Sequence, residues 1–130
     1  MVLDTSAVVA MLFDEPERES FSRLVATDPT RLISAATLVQ TSIVVEARGG
    51  PTAGRELDLL LHRAVIDVVP VTESQAELAR GAWRRFGKGR HPAGLNYGDC
   101  FSYALAADTG EPLLFKGDDF LATDVTPAVD

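Results

Sequence analysis

Short apolar runs alternate with stretches of helical spacing from one end of the chain to the other. "MVLD", "RLIS", "VIDVVPV" and "PLLF" read as strands, and the β-branched "VIDVVPV" carries the clearest strand signal. Between them "TSAVVAML", "PERESFSRLVAT", "AATLVQTSIVVEAR", "AGRELDLLLHRA", "ESQAELARGAWRRF" and "YGDCFSYALAADTG" read as helices. The boundaries carry their own chemistry. Pro16 lies near a first turn, Thr72 and Gln75 have capping-box spacing, "GGP" stops one helix and Gly110 closes another. "GDDFLAT" predicts a short helical turn and "DVTPAV" a last strand. Such alternation predicts an α/β fold with a mostly parallel central sheet flanked by helices on both faces. At 130 residues the chain is one domain. Ligands of such sheets bind outside the carboxyl ends of the strands.

The longest apolar runs fall short of a membrane span, and no basic-then-apolar leader opens the chain. A single cysteine, Cys100, rules out an internal disulfide and favours a reducing compartment, so the expected location is the cytoplasm. Nineteen acidic against twelve basic residues give a net charge of −7, which disfavours a polyanionic partner in general. The charge is unevenly spread, however. Arg80, Arg84, Arg85, Lys88 and Arg90 crowd into a segment free of acids, either as a solvated helix face or as a grip on phosphates. The surrounding acids suit cations.

Those acids fall at predicted strand ends. Asp4 ends the first strand and opens a helix, Asp99 opens the helix of "LNYGDC", and Asp118 and Asp119 follow "PLLF". Each has a purely structural explanation as a helix cap or first-turn acid. Three separate caps need no common location, whereas a metal site does, and clustered carboxylates call for a divalent cation. All-oxygen donors suit Mg²⁺ or Mn²⁺ and not zinc. Other chemistry is poorly supported. His62 and His91 lack ligand spacing, Cys100 reads as a packed thiol, and "GKG" at 87–89 lacks the spacing of a phosphate-binding loop. Trp83 and Phe86 sit among the arginines as core residues or as platforms for bases. A dehalogenase-like phosphatase would want a second Asp where Ser6 stands.

In "SAATLVQTSIVVEAR", residues Ala36, Val39, Ile43, Val44 and Ala47 share a helical stripe expected to pack, and Gln40 interrupts it. An amide there either satisfies itself inside the fold or borders a polar pocket.

"MVLDTSAVVAML", "LNYGDCFSYALA" and "LLFKGDDFLATDV" together resemble the PIN-domain ribonucleases, most closely the VapC toxins of bacterial toxin–antitoxin pairs. The resemblance spans essentially the whole chain. It implies an endoribonuclease that uses Mg²⁺ or Mn²⁺, forms a homodimer and is inhibited by a VapB antitoxin. The family's first Asp falls on Asp4, with Thr5 and Ser6 beside it, and its helix-opening Asp falls on Asp99; these two would hold the metal. The last acidic position falls on Asp118, with Asp119 as the alternative. The family's second acid, a glutamate, matches Gln40. Glu46 does not replace it, since six residues advance about 600°, or 240° around the helix. Asp4, Gln40, Asp99 and Asp118 are thus the expected catalytic set, and Arg84, Arg85, Lys88 and Arg90 the expected RNA contacts. The amide at 40 leaves a second possibility, a PIN-fold module that binds its partner without cleaving RNA.

Overall fold

In a strand, successive side chains point to opposite faces, and even two-residue strands here divide their neighbours in that way. The computed structural model describes residues 1–129. Strands β1 (Val2–Leu3), β2 (Leu32–Ser34), β3 (Asp67–Val69) and β4 (Leu113–Leu114) form one sheet in the order β3-β2-β1-β4, every pair parallel. Val2 and Leu113 join the core on one face, with residues of α4 (Glu73–Phe86) and α5 (Tyr97–Thr109). Leu3, Ile33 and Leu114 join the core on the other, with α1 (Thr5–Leu12), α2 (Arg18–Thr27) and α3 (Ala35–Arg63). Both faces are covered, as a parallel sheet requires.

The chain leaves β1 for β2 on one side, while β4 returns to pair on the other. The strand order therefore reverses at β1, the point where α/β sheets open a binding crevice. Asp4 lies immediately beyond that strand.

Several local details depart from the sequence reading. The sheet is parallel throughout, and "DVTPAV" adds only a single bridge between Pro127 and Leu113, because proline has no N–H to continue a ladder. The helices on either side of "GGP" meet at a kink within α3, where Gly50 takes a φ of +71° and Pro51 starts the second segment. Thr72 caps α4 by accepting from the Gln75 N–H at 3.1 Å. The Gln75 amide, however, donates to Asp108 and so leaves the box half built. Among the described residues no helix is long and apolar enough to cross a membrane.

The largest departure lies on α3. Its expected packing stripe faces solvent, with Val39 59% and Ile43 64% exposed, while Thr37, Thr41 and Val45 are buried instead. The inward face meets the starts of α1 and α5, where short side chains allow close approach. Their hydroxyls are satisfied there. Thr41 donates to the Thr37 carbonyl at 2.8 Å and lies 2.9 Å from the Thr5 hydroxyl, and Thr37 lies 3.3 Å from Ser102. Polar atoms with partners at hand displaced the branched residues from the core face. Val45→Ala is accordingly expected to cost about 2 kcal/mol in urea unfolding, from two lost methyl groups and the space they leave. Ile43→Ala should stay within about 0.5 kcal/mol of the parent.

Candidate active site

The carboxylate of Asp4 is buried, at 3% exposure, and is held by α1 and α5 together. Its Oδ2 accepts from the Ser6 amide at 3.0 Å and the Ser6 hydroxyl at 2.7 Å. Its Oδ1 accepts from the Ser102 hydroxyl at 2.6 Å. Asp4 is thus the N-cap of α1 as well as a polar centre of the interior, so the capping role and the site role coincide. A carboxylate offers about four lone-pair sites. Three are filled, and Oδ1 keeps one for another electron-pair acceptor. Ser6 in turn accepts from the Lys116 N–H at 3.0 Å, tying the segment after β4 to the same corner.

Asp99 is placed by its own cap. Asn96 Oδ1 accepts from the Asp99 N–H at 2.9 Å, and Asp99 Oδ2 accepts from the Asn96 N–H at 3.0 Å. This reciprocal box fixes the carboxylate in the first turn of α5. Burial pushes its pKa up to about 6, the Asn96 amide opposes the shift, and the negative charges of Asp4 and Asp119 add to it. Of the two candidate acids after β4, Asp119 is therefore the one whose charge reaches Asp99. Asp118, the first choice from sequence, and Asp119 are both exposed, at the start of the 3₁₀ turn Asp119–Ala122.

Gln40 lies between these groups. Its Oε1 accepts from the Thr5 hydroxyl at 2.9 Å. Its amide also rests against the start of α5 at Gly98, where any β-carbon would collide with it. The oxygen of the amide is thus partnered inside the fold, and the side chain sits between the start of α1, which Asp4 caps, and the start of α5, which carries Asp99. The site brings together Asp4, Asp99 and Gln40, with Asp119 near enough to influence Asp99. Among the described residues no three His, Cys, Asp or Glu side chains converge on one point. The donors are oxygens with spare lone pairs and unbalanced negative charge, which fits a hard divalent cation.

Two supporting residues are missing from the sequence reading. Ser102 lies one turn beyond Asp99, and that three-residue spacing on a largely apolar helix was the available signal. Gly98 gave no signal, because its role is to leave room for Gln40. The basic segment divides. Arg84 and Arg90 gather around Trp83, with the Arg90 guanidinium 4.7 Å from the indole centroid. Lys88 is exposed in the loop after α4. Arg85 points elsewhere and pairs with Asp124 at 3.1 Å, where Tyr103 also donates at 2.6 Å. Cys100 is buried, its thiol donates to the Asn96 carbonyl at 3.3 Å, and burial pushes its pKa up to about 11, so it is a packed thiol.

A sheet whose order reverses beside a buried Asp, faced by a second Asp from a later helix, is the arrangement of a PIN domain. The profile described as "PIN domain" matches residues 1–125, and the chain belongs to that family. Within it, the chain belongs with the VapC ribonucleases. It is 60% identical over 125 residues to "Ribonuclease VapC30" of Mycobacterium tuberculosis, covering 96% of this chain and 95% of that one. It is equally 60% identical to "Ribonuclease VapC" of Mycolicibacterium smegmatis, over 96% and 97% of the two chains. Among solved structures, the fold matches Mycobacterium tuberculosis VapC20, a "Sarcin-Ricin loop cleaving toxin", with a TM-score of 0.79 at 21% identity. That match covers 99% of this chain and 98% of the other. A "Toxin-antitoxin complex from Klebsiella pneumoniae" matches with a TM-score of 0.70 at 15% identity, over 95% and 92% of the chains.

The raised pKa of Asp99 has a signed consequence for the metal-free protein. A folded-state value of about 6 lies above the usual carboxylate value of 3.8, so its contribution is fully present below pH 4 and is lost as pH rises through 6. In urea titrations with chelator, Asp99→Asn should gain stability relative to the parent between pH 4 and 6.5, with a constant difference above that. Parallel curves across the window would contradict the assignment.

Proposed function

We propose that the protein is a Mg²⁺- or Mn²⁺-dependent endoribonuclease, the toxin of a type II toxin–antitoxin pair, acting in the cytoplasm. The observation that carries the reading is the pairing of Asp4 and Asp99, from distant parts of the chain, at the reversal point of a PIN-domain sheet. Asp4 Oδ1 and the Asp99 carboxylate would hold the cation. A divalent cation bound there supplies Lewis acidity to the scissile phosphate and to the attacking water. Ser102 and Ser6 fix the Asp4 carboxylate in one orientation, so little reorganisation is needed when charge develops on the phosphate. Asp119 orients the water and accepts its proton. The water oxygen would form a bond to phosphorus, the bond to the 3′-oxygen would break with that oxygen taking a proton from solvent, and the products would be a 5′-phosphate and a 3′-hydroxyl. This route activates no ribose 2′-hydroxyl and requires no His pair.

Gln40 weakens this chemistry without dismantling the site. Its oxygen can face a cation's hydration shell, but it brings no negative charge and accepts no proton. The exposed stripe Val39, Ile43 and Val44 beside it supports contact with a protein, a VapB-type antitoxin or a second copy in a homodimer. Such contacts would outlast loss of cleavage, and Gln40 is the observation that favours the second reading, a PIN-fold binding module.

Cleavage of RNA in Mn²⁺ should stop with chelator and fall about a hundredfold or more in Asp4→Asn and Asp99→Asn. Gln40→Glu should raise cleavage about tenfold or tighten Mn²⁺ binding to a similar degree. Persistent cleavage in chelator would overturn the mechanism. If Gln40→Glu acts as the parent does in both assays, position 40 has a structural role only.

A further inference from the structure

The turn that carries Asp118 and Asp119 is held at three places. Upstream, the Lys116 N–H donates to Ser6 at 3.0 Å and its ammonium meets Glu15 at 2.9 Å, but Gly117, at a φ of +96°, separates these contacts from the acids. In the middle, Phe120 is buried against Phe115, with ring centroids 5.2 Å apart. Apolar contact is non-directional and leaves the turn free to rotate about that point. Downstream, the Thr123 N–H and hydroxyl both donate to the Phe120 carbonyl, at 3.1 and 2.6 Å, and close the turn. Asp124 follows directly, and there the contacts become directional.

The Tyr103 hydroxyl donates to Asp124 Oδ1 at 2.6 Å, the length of a charge-assisted bond. Arg85 Nη2 donates to Asp124 Oδ2 at 3.1 Å, and Arg85 Nη1 donates to the Tyr103 hydroxyl at 3.4 Å, which closes a triangle of three side chains. The Arg85 guanidinium is braced 4.7 Å from the Phe86 ring centroid. Tyr103 is buried, and burial together with the Asp124 carboxylate pushes its pKa up to about 12, so the hydroxyl remains a donor at neutral pH. A buried tyrosine needs some partner for its hydroxyl. Here the partner is the first residue beyond the acidic turn, and Tyr103 stands next to Ser102, which holds Asp4, and one turn beyond Asp99. Residues three and four apart are neighbours on a helix. Helix α5 therefore fixes Asp99 in its own first turn, Asp4 through Ser102 and the turn of Asp119 through Tyr103.

We propose that Tyr103 and Asp124, braced by Arg85, are positioning residues for the hydrolysis: they set the orientation in which the turn presents Asp119 to Asp99 and to the attacking water. The assignment rests on the ribonuclease reading and gives Arg85 a place in it other than a grip on RNA. None of the three residues touches substrate or transfers a proton. Each acts through Asp119, so its removal leaves the acids present and only their mutual geometry loosened.

The test is a double-mutant cycle on the full chain, read as cleavage of a labelled oligoribonucleotide in Mn²⁺, with circular dichroism to confirm that each variant is folded. Tyr103→Phe keeps the buried ring and removes only the hydroxyl. It should lower kcat about tenfold and change KM less than about twofold. Asp124→Ala removes the same anchor from an exposed position, so it carries the test independently of the core, and it should lose at least as much. Asp124→Asn keeps an acceptor for Tyr103 and should fall between Asp124→Ala and the parent. In an Asp119→Asn background, Tyr103→Phe should lower kcat by no more than about twofold further, because the residue through which it acts is already lost. Losses that multiply in the double variant would overturn the proposal, since a merely structural contact weakens both backgrounds alike. Parent-like kcat in Tyr103→Phe and Asp124→Ala, or in Asp119→Asn, would overturn it while leaving the ribonuclease reading in place. A parent protein that does not cleave RNA in Mn²⁺ defeats that reading and the proposal with it.

Discussion

The buried carboxylate of Asp4 organises this fold. Placing a negative charge in the interior is tolerable only when hydrogen bonds replace the lost water, and three of them come from two different helices. Two run to Ser6 in α1, and the third crosses to Ser102 in α5, ninety-eight residues away in sequence. Through Ser102 the network continues to Thr37 in α3, and through Ser6 to the backbone after β4. The elements that build the site are therefore fixed to one another by the same contacts that make Asp4 tolerable. Position and charge are set together.

Asp99 meets the opposite circumstance. Its cap holds it in place with a single backbone N–H on one oxygen, and burial and neighbouring carboxylates oppose its ionisation. Two acids held close by independent local structures store repulsion that the protein alone does not relieve. A divalent cation held between them, as proposed, would relieve it and would couple metal binding to stability as well as to chemistry. With an amide at position 40, where the family resemblance implies a glutamate, that repulsion is smaller by one charge. The fold is then easier to keep without metal, at some cost in affinity for it.

The architecture was legible because strand and helix periods alternate so regularly, and because parallel sheets leave few alternatives once that alternation is seen. Asp4 was visible for the same reason, since it directly follows a strand, whereas Asp99 opens α5 and follows no strand, so only its place in the late motif singled it out. Three things were not legible. Burial on α3 followed hydroxyls that find partners rather than the apolar stripe, and the partner of Thr37 lies on a helix sixty-five residues on. The choice between adjacent Asp118 and Asp119 depends on the geometry of a 3₁₀ turn, which sequence does not resolve. Arg84 and Arg85 look interchangeable in a basic run, yet about 100° of helix rotation sends one to the side of Trp83 and the other to Asp124.

The claim beneath all of this is that Asp4 and Asp99 share one divalent cation. A crystal of the protein soaked in Mn²⁺ and measured for anomalous scattering addresses it directly. The account predicts a single strong peak between the two carboxylates, within bonding distance of both and lost in Asp99→Asn. A peak bound to neither carboxylate, or no peak at Mn²⁺ concentrations that support RNA cleavage, would contradict it.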